Sequence, residues 1–207
     1  MTITNEDNMQ LMARYEDNHF DLAIVDPPYG IDVTKMTLGN GKKKINRGLS
    51  DWDNSTPNLN YWNELFRVSK NQIVWGANYM TNFLPPSMGW VFWDKGTGKN
   101  DFSDGELAYT SFNRALRKYK VSWVGANANN GTPRIHPTEK PIQLYEWLLM
   151  NYAKEGDKIL DTNLGSGSIA IASHNLGYDL TACELDKDYY EAAIKRINQH
   201  KAQLRII

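Results

Sequence analysis

Lys158-Ile159-Leu160-Asp161-Thr162-Asn163-Leu164-Gly165-Ser166-Gly167-Ser168-Ile169-Ala170 is an apolar strand that runs into a glycine loop and then a helix. A short apolar run, glycines and a helix-periodic stretch in that order form the repeating unit of doubly wound α/β sheets. Gly165 and Gly167 permit a tight turn and let a ligand approach the backbone, and Ala170 takes the third position of a Gly-x-Gly-x-x-Gly/Ala pattern. The next short strand, Thr181-Ala182-Cys183, ends at Glu184, about 20 residues past the glycines, where an acid can bond ribose hydroxyls. The spacing suits a nucleoside site. A dinucleotide site has the same spacing, although no second nucleotide half is evident, and a merely solvated Glu184 is the plain alternative.

Outward from this unit, short runs rich in Val, Ile, Trp and Leu alternate with helix-periodic stretches. Strands are expected at Thr2–Thr4, Leu22–Val25, Ile73–Trp75, Trp90–Trp93, Leu107–Tyr109, Lys158–Asp161 and Leu180–Cys183. Helices are expected at Met9–Tyr15, Leu59–Val68, Ile142–Ala153, Ser168–Leu176 and Lys187–Gln203, with Pro141 opening the third. The fold class is α/β: a mostly parallel, seven-stranded sheet flanked by helices, in a single domain spanning 1–207. Segments 31–58 and 124–138 are rich in Gly, Asn, Thr and Lys and read as functional loops, with loop insertions near 31–58 and 113–135.

Composition narrows the function. Across 207 residues, 23 Lys+Arg nearly cancel 24 Asp+Glu, so any nucleic-acid surface must be local and a histone-like or tail-driven binder is excluded. The only cysteine, Cys183, rules out an intrachain disulfide framework and a multi-Cys zinc site, and reads as a buried strand residue in a reducing compartment. The N-terminus shows no export signal and no run is long enough to span a membrane, so the cytosol is the expected location. His19, His174 and His200 are scattered and assemble no metal set. Trp75, Trp90 and Trp93 read as core.

The chemistry is carried by Asp26-Pro27-Pro28-Tyr29-Gly30, directly after the strand Leu22-Ala23-Ile24-Val25. Ligands in open α/β sheets bind outside the carboxyl ends of strands, where this segment falls. Consecutive prolines fix φ and donate no hydrogen bond, so the turn is stiff and can hold an acidic oxygen, a free carbonyl and an aromatic face together. That set suits an aromatic amine, such as the exocyclic amino group of adenine or cytosine, whose lone pair is delocalised into the ring. Asp26 and the Pro27 carbonyl can accept its two N–H bonds while Tyr29 stacks on the base. A strand-ending turn in which Asp26 caps a helix is the simpler alternative.

Taken together, Asp26-Pro27-Pro28-Tyr29, His136-Pro137-Thr138-Glu139-Lys140-Pro141, Asp161-x-x-x-Gly165-x-Gly167 and Glu184 resemble the DNA amino-methyltransferases that use S-adenosylmethionine. The order, target-base motif first and glycine loop last, is similar to the circularly permuted β-class, with a Rossmann-like methyltransferase fold. Asn71–Gly76 and Phe102–Tyr109 resemble segments of phage and prophage members. The resemblance implies that Asp26, Pro27, Pro28 and Tyr29 hold a flipped base and its amine. It implies that Asp161, Asn163, Gly165, Ser166 and Gly167 receive the cofactor's methionine part and that Glu184 binds its ribose. Asp7 then meets the cofactor adenine, and Thr138 and Lys140 close over the methionine end, with Lys140 available to its carboxylate. The bland readings of Thr138 and Lys140 are a loop hydroxyl and a solvated lysine.

Two departures from the family pattern stand out. Thr162 and Asn163 replace the Pro and large apolar residue of many relatives, and the stretch between Phe112 and His136 is short where relatives place a target-recognition segment. Specificity is therefore expected to be relaxed, short or supplied by a partner, and a homodimer is open. Local positive charge supplies a DNA surface through Lys42, Lys43, Lys44 and Arg47 in one loop and Arg114, Arg117, Lys118 and Arg134 in another, interleaved with Phe112, Tyr119 and Trp123. A solvated charged surface is the competing view. The expected activity is methyl transfer from S-adenosylmethionine to adenine N6 in DNA, by direct transfer without a covalent enzyme intermediate. Aspartate at the first motif position favours adenine by resemblance. Cytosine N4 is the alternative within the class, and a catalytically silent nucleic-acid-binding subunit is the alternative outside it.

Overall fold

The structure, a computed structural model, describes residues 1–31, 37–38, 43–44, 53–97, 103–123, 135–136 and 138–203. In chain order its elements are β1 (Thr2–Asn5), α1 (Asn8–Met12), β2 (Leu22–Val25), β3 (Thr37–Leu38), β4 (Lys43–Lys44), α2 (Leu59–Val68), β5 (Gln72–Trp75), β6 (Trp90–Asp94), β7 (Gly105–Thr110), β8 (Arg117–Lys120), α3 (Ile142–Tyr152), β9 (Lys158–Asp161), α4 (Ser168–Leu176), β10 (Asp179–Glu184) and α5 (Lys187–Ala202). A 3₁₀ turn covers Ala77–Tyr79.

One eight-stranded sheet has the order β1-β10-β9-β2-β5-β7-β6-β8, and β3 pairs with β4 separately. From β1 to β5 every pairing is parallel; β7 runs antiparallel to both β5 and β6, and β8 runs parallel to β6. The central strands are buried on both faces, and side-chain alternation sends their residues into two cores. Leu22, Ile24, Ile73, Trp75, Ile159, Leu180 and Ala182 pack with α3, α4 and α5. Ala23, Val25, Val74, Leu160 and Cys183 pack with α1 and α2. Trp75 and Trp93 are core residues as expected, and Cys183 is fully buried.

Local chemistry starts the helices. Asp7 accepts from Met9 N at the head of α1, Asn58 from Asn60 N and Tyr61 N at α2, and Asp186 from Asp188 N and Tyr189 N at α5. Pro141 occupies the cap position of α3, which buries Leu144, Tyr145, Leu148, Leu149 and Tyr152 along one stripe.

The sheet has one strand more than its sequence suggests, because β8, Arg-Lys-Tyr-Lys, lies inside the stretch read as a loop over 113–135. It is an edge strand, and only Tyr119 faces a helix, stacking on Trp147 at 4.9 Å. A short, charged edge strand carries no apolar signature by which it could be read. Helix α1 also stops earlier than expected, at Met12, where Arg14 N and Tyr15 N turn back to the carbonyls of Leu11 and Met12.

The chain leaves β2 through α2 towards β5 and leaves β9 through α4 towards β10, in opposite directions from two neighbouring strands. The carboxyl ends of β2 and β9 therefore open the switch-point crevice in which such sheets bind ligands. Asp26 follows β2 directly, and Asp161 ends β9.

Candidate active site

The turn after β2 is aimed by a residue outside it. Buried Asp53 accepts from Tyr29 N at 2.7 Å and Gly30 N at 3.0 Å through one carboxylate oxygen. The ring of Tyr29 lies against Gly76 and stacks on Tyr79, with centroids 5.4 Å apart and planes 17° apart. Gly76 has φ +64°, and a Cβ there would come within 2.1 Å of Tyr29 Cε1. Glycine is required on both counts.

The polar end of this turn is a closed network. Tyr29 donates its hydroxyl to Asp26 Oδ1 at 2.7 Å, and Lys140 Nζ donates to Asp26 Oδ2. The same ammonium lies 3.3 Å from Tyr29 Oη and 3.3 Å from Glu106 Oε2. Glu106 Oε1 accepts from Lys95 at 2.5 Å. Lys140 is only 1% exposed at its side chain and sits 5.4 Å from the centre of the Trp75 ring.

Burial pushes the Asp26 carboxyl above its ordinary range, against the pull of Lys140. Burial, reinforced by Asp26 and Glu106, keeps the Tyr29 phenol protonated and a donor. Glu106 behaves differently: burial opposes its ionisation, but Lys140 and Lys95 outweigh it and hold the carboxyl at about 2. Lys140 stays cationic because Asp26 and Glu106 together overcome its desolvation. A buried ion pair of this kind contributes little net stability, but removing one partner costs about 3–5 kcal/mol because the other charge is stranded.

The second half of the site is the loop after β9. Asp161 is buried and accepts from Asn163 N at 3.0 Å. Burial, then the nearby carboxylates of Asp26 and Glu184, raise it to about 8. Thr162 donates to Asn163 Oδ1 at 2.7 Å and so accepts from the Tyr61 hydroxyl, also at 2.7 Å. This pairing accounts for the polar residues at Thr162 and Asn163, since α2 presents a buried phenol to that wall. Gly165 has φ +52° and donates its N–H to Glu184 Oε2 at 2.8 Å, while Glu184 Oε1 accepts from Asp186 N at 3.0 Å. The Ser166 hydroxyl meets that of Ser168 at 3.1 Å, and the Ser166 carbonyl accepts from Arg196 at 2.9 Å. Gly167, at φ +75°, packs where a Cβ would touch Ile197 at 3.0 Å. Asp7 leaves the sheet at the same end, two residues after Asn5, which pairs with Glu184.

Residues 135–136 and 138–140 bridge the halves. The His136 ring lies over Gly165 and packs edge-on against Tyr189 at 4.5 Å, and Thr138 Oγ1 sits 3.1 Å from His136 Nδ1. Burial, with Lys140 adding to it, lowers His136 to about 4, so the ring is neutral near pH 7. Glu139 anchors the segment: it pairs with Arg196 at 3.2 Å, and its carbonyl accepts from Trp123 Nε1 at 2.6 Å. Lys140, which the resemblance assigns to the methionine end of the cofactor, directs its ammonium to Asp26 and Glu106.

The basic residues singled out as a DNA surface fall in different places. Lys42, Arg47 and Arg134 lie outside the described residues, as do the side chains of Lys43 and Lys44, whose backbone forms β4. Arg114 packs on the Tyr152 ring and donates to the Asn151 carbonyl, Lys118 pairs with Asp94 at 2.7 Å, and Arg117 is exposed on β8. This edge is four strands from β2, about 19 Å at ordinary strand spacing.

Sequence reading missed Glu106, Lys95, Asp53, Gly76 and Tyr79. Gly76 and Glu106 fall in the segments Asn71–Gly76 and Phe102–Tyr109, and Glu106 carried a further signal as an acid two residues before Ala108, on the face of β7 that enters the core.

Residues 70–195, more than half of the chain, match a family model described as DNA methylase. The Type II methyltransferase M2.LlaDCHI of Lactococcus lactis subsp. cremoris is 22% identical, over 95% of this chain and 89% of its own. The Type II methyltransferase M.HpaI of Haemophilus parainfluenzae is 27% identical, over 92% of this chain and 72% of its own. Among solved structures, the M1.HpyAVI–SAM complex superposes with a TM-score of 0.62 at 17% identity, covering 95% of this chain and 98% of that one, a likeness of fold. The family match takes in Lys140, Asp161 and Glu184 and begins after the Asp26 turn, and the chain belongs to the DNA methylase family.

Proposed function

We propose that this DNA methylase transfers a methyl group to N6 of adenine. The observation that carries the reading is the partly buried Asp26, ionically paired and hydrogen-bonded by Tyr29, at the switch point beside Asp161 and Glu184. The methyl donor is S-adenosylmethionine, which supplies an electrophilic methyl carbon when bound. The donor set suits it: burial, with the carboxylates of Asp26 and Glu184 adding to it, holds Asp161 at about 8, and a sulfonium cation beside it favours its ionised form. Glu184 takes the ribose diol, Gly165 and Gly167 open the backbone for the methionine part, Asp7 meets the adenine, and Thr138 closes over the methionine end.

The chain's own residues do the orienting. Asp26 and the Pro27 carbonyl accept the two N–H bonds of the exocyclic amine and draw its lone pair out of conjugation. Pro28 stiffens the turn. Tyr29 and the half-exposed Tyr79 offer aromatic surface to a base drawn out of its stack. Asp26 favours adenine over cytosine through the resemblance already described. Lys42, Lys43, Lys44, Arg47, Arg114, Arg117, Lys118 and Arg134 are proposed to meet phosphates, and a partner or second copy to supply target recognition. Among the described residues no helix is long and apolar enough to cross a membrane. We place the protein in the cytosol, where a reduced Cys183 is stable.

Purified protein is incubated with S-adenosylmethionine and unmethylated genomic DNA, the DNA is digested to nucleosides, and methylated bases are identified by mass spectrometry. N6-methyladenine is the expected product. N4-methylcytosine would overturn the base assignment, and cofactor binding without any product would point to a silent subunit.

A further inference from the structure

Lys140 Nζ has three N–H donors and meets three acceptors: Asp26 Oδ2, Glu106 Oε2 and Tyr29 Oη. Lys95 takes the other oxygen of Glu106 and is about one-fifth exposed, so the chain of charges runs from the buried lysine outward. Two carboxylates and two ammonium groups form a neutral quartet, and only Asp26 belongs to the turn that meets the base. An ammonium buried with Asp26 alone would spend its whole charge there and leave a weak acceptor for an incoming amine. A second carboxylate, Glu106 at 3.3 Å from the ammonium, divides that charge.

The geometry points to Glu106 as a positioning residue of methyl transfer: balanced by Lys95, it shares Lys140 with Asp26, so that Asp26 keeps more of its acceptor strength for the target amine and Lys140 has a place to rest while Asp26 is engaged. This inference rests on the amino-methyltransferase reading and gives a role to Glu106, within the segment Phe102–Tyr109, and to Lys95.

The test uses the full chain, S-adenosylmethionine and unmethylated genomic DNA. Glu106→Gln keeps the shape and removes the charge. Its kcat is expected to fall by about tenfold or more, the scale of a misplaced reacting group, with KM for S-adenosylmethionine within about twofold. The titratable groups facing Lys140 are Asp26, Tyr29, Glu106, Asp161 and His136. Loss of the Glu106 charge should let the Lys140 proton leave at lower pH. In the DNA-free protein labelled with 13C-lysine, the Lys140 Cε resonance should therefore titrate earlier than in wild type, which reports that the lysine is shared, while the fall in kcat at nearly unchanged KM is the change that a purely structural role would not produce. Lys95→Met/Glu106→Gln restores neutrality without restoring the shared lysine and should stay impaired. Glu106→Asp, with the charge withdrawn by one methylene, should lose kcat by a smaller factor and decides the matter if Glu106→Gln does not fold. Wild-type kcat in Glu106→Asp and Glu106→Gln, or full recovery in the double variant, overturns the inference. If the wild-type control itself yields no methylated amine, the amino-methyltransferase reading fails instead.

Discussion

Gly76→Ala perturbs the site through a single carbon. The added Cβ would lie 2.1 Å from Tyr29 Cε1, 2.3 Å from Cζ and 2.4 Å from Cδ1, so reaching the 3.4 Å of ordinary contact requires the ring to withdraw by about 1.3 Å. The ring has little freedom to do so. Its hydroxyl is held by Asp26 at 2.7 Å, its backbone by Asp53 and its face by Tyr79. The left-handed backbone at φ +64° adds about 1–2 kcal/mol for any residue with a Cβ. Folding stability should fall by about 2–3 kcal/mol, adding that strain to about 1 kcal/mol for a lost hydrogen bond. Misplacing the base-holding ring by about an ångström should lower turnover by about 100-fold. Urea unfolding gives the first quantity and methyl incorporation into DNA the second, with cofactor affinity as the control because the loop after β9 is untouched. A Gly76→Ala protein that keeps wild-type turnover would falsify the placement of Tyr29 in the site.

Asp26→Ala should retain cofactor binding and lose turnover by about 100-fold or more, the scale of deleting one preorganised hydrogen-bonding group; near-normal product formation would remove Asp26 from the chemistry. Asp161, raised to about 8 by burial and by Asp26 and Glu184, has a folded pKa above its unfolded value, so its contribution to stability is full below about pH 4 and is lost as pH rises through about 8. A cationic ligand favours the ionised form, so S-adenosylmethionine should bind more tightly from pH 6 to 8 and release a proton. Titration calorimetry in two buffers of different ionisation enthalpy reads that proton, and the uncharged S-adenosylhomocysteine should show a smaller effect; equal, pH-independent binding of both would refute it. Replacing Lys42, Lys43 and Lys44 with alanine should weaken DNA binding and reduce the salt slope by roughly 2–3, about 0.9 per lost phosphate contact, whereas an unchanged slope removes all three from the phosphate footprint.

The sequence by itself determined the central strands and the motif-bearing turns at their carboxyl ends. Leu22–Val25, Ile73–Trp75 and Lys158–Asp161 are short apolar runs between helix-periodic stretches, and burial on both faces of a parallel sheet demands that pattern. Gly165, Gly167 and Glu184 were legible for a related reason, because a loop that brings ligand against backbone needs residues of those types a few positions apart. β8 escaped because an edge strand needs no apolar face. Asp53, Glu106 and Lys95 escaped because each acts through a partner far away in the chain, as Asp53 does on Tyr29 N, 24 residues distant. Lys140 shows the division most plainly: its motif was readable, but its ammonium meets Asp26 across 114 residues. Periodicity and turn chemistry are local and survive in the order of residues, whereas the neutrality of a buried charge cluster depends on which side chains the tertiary fold brings within a few ångströms, and that was decided only when β2, β7 and the segment before α3 came together.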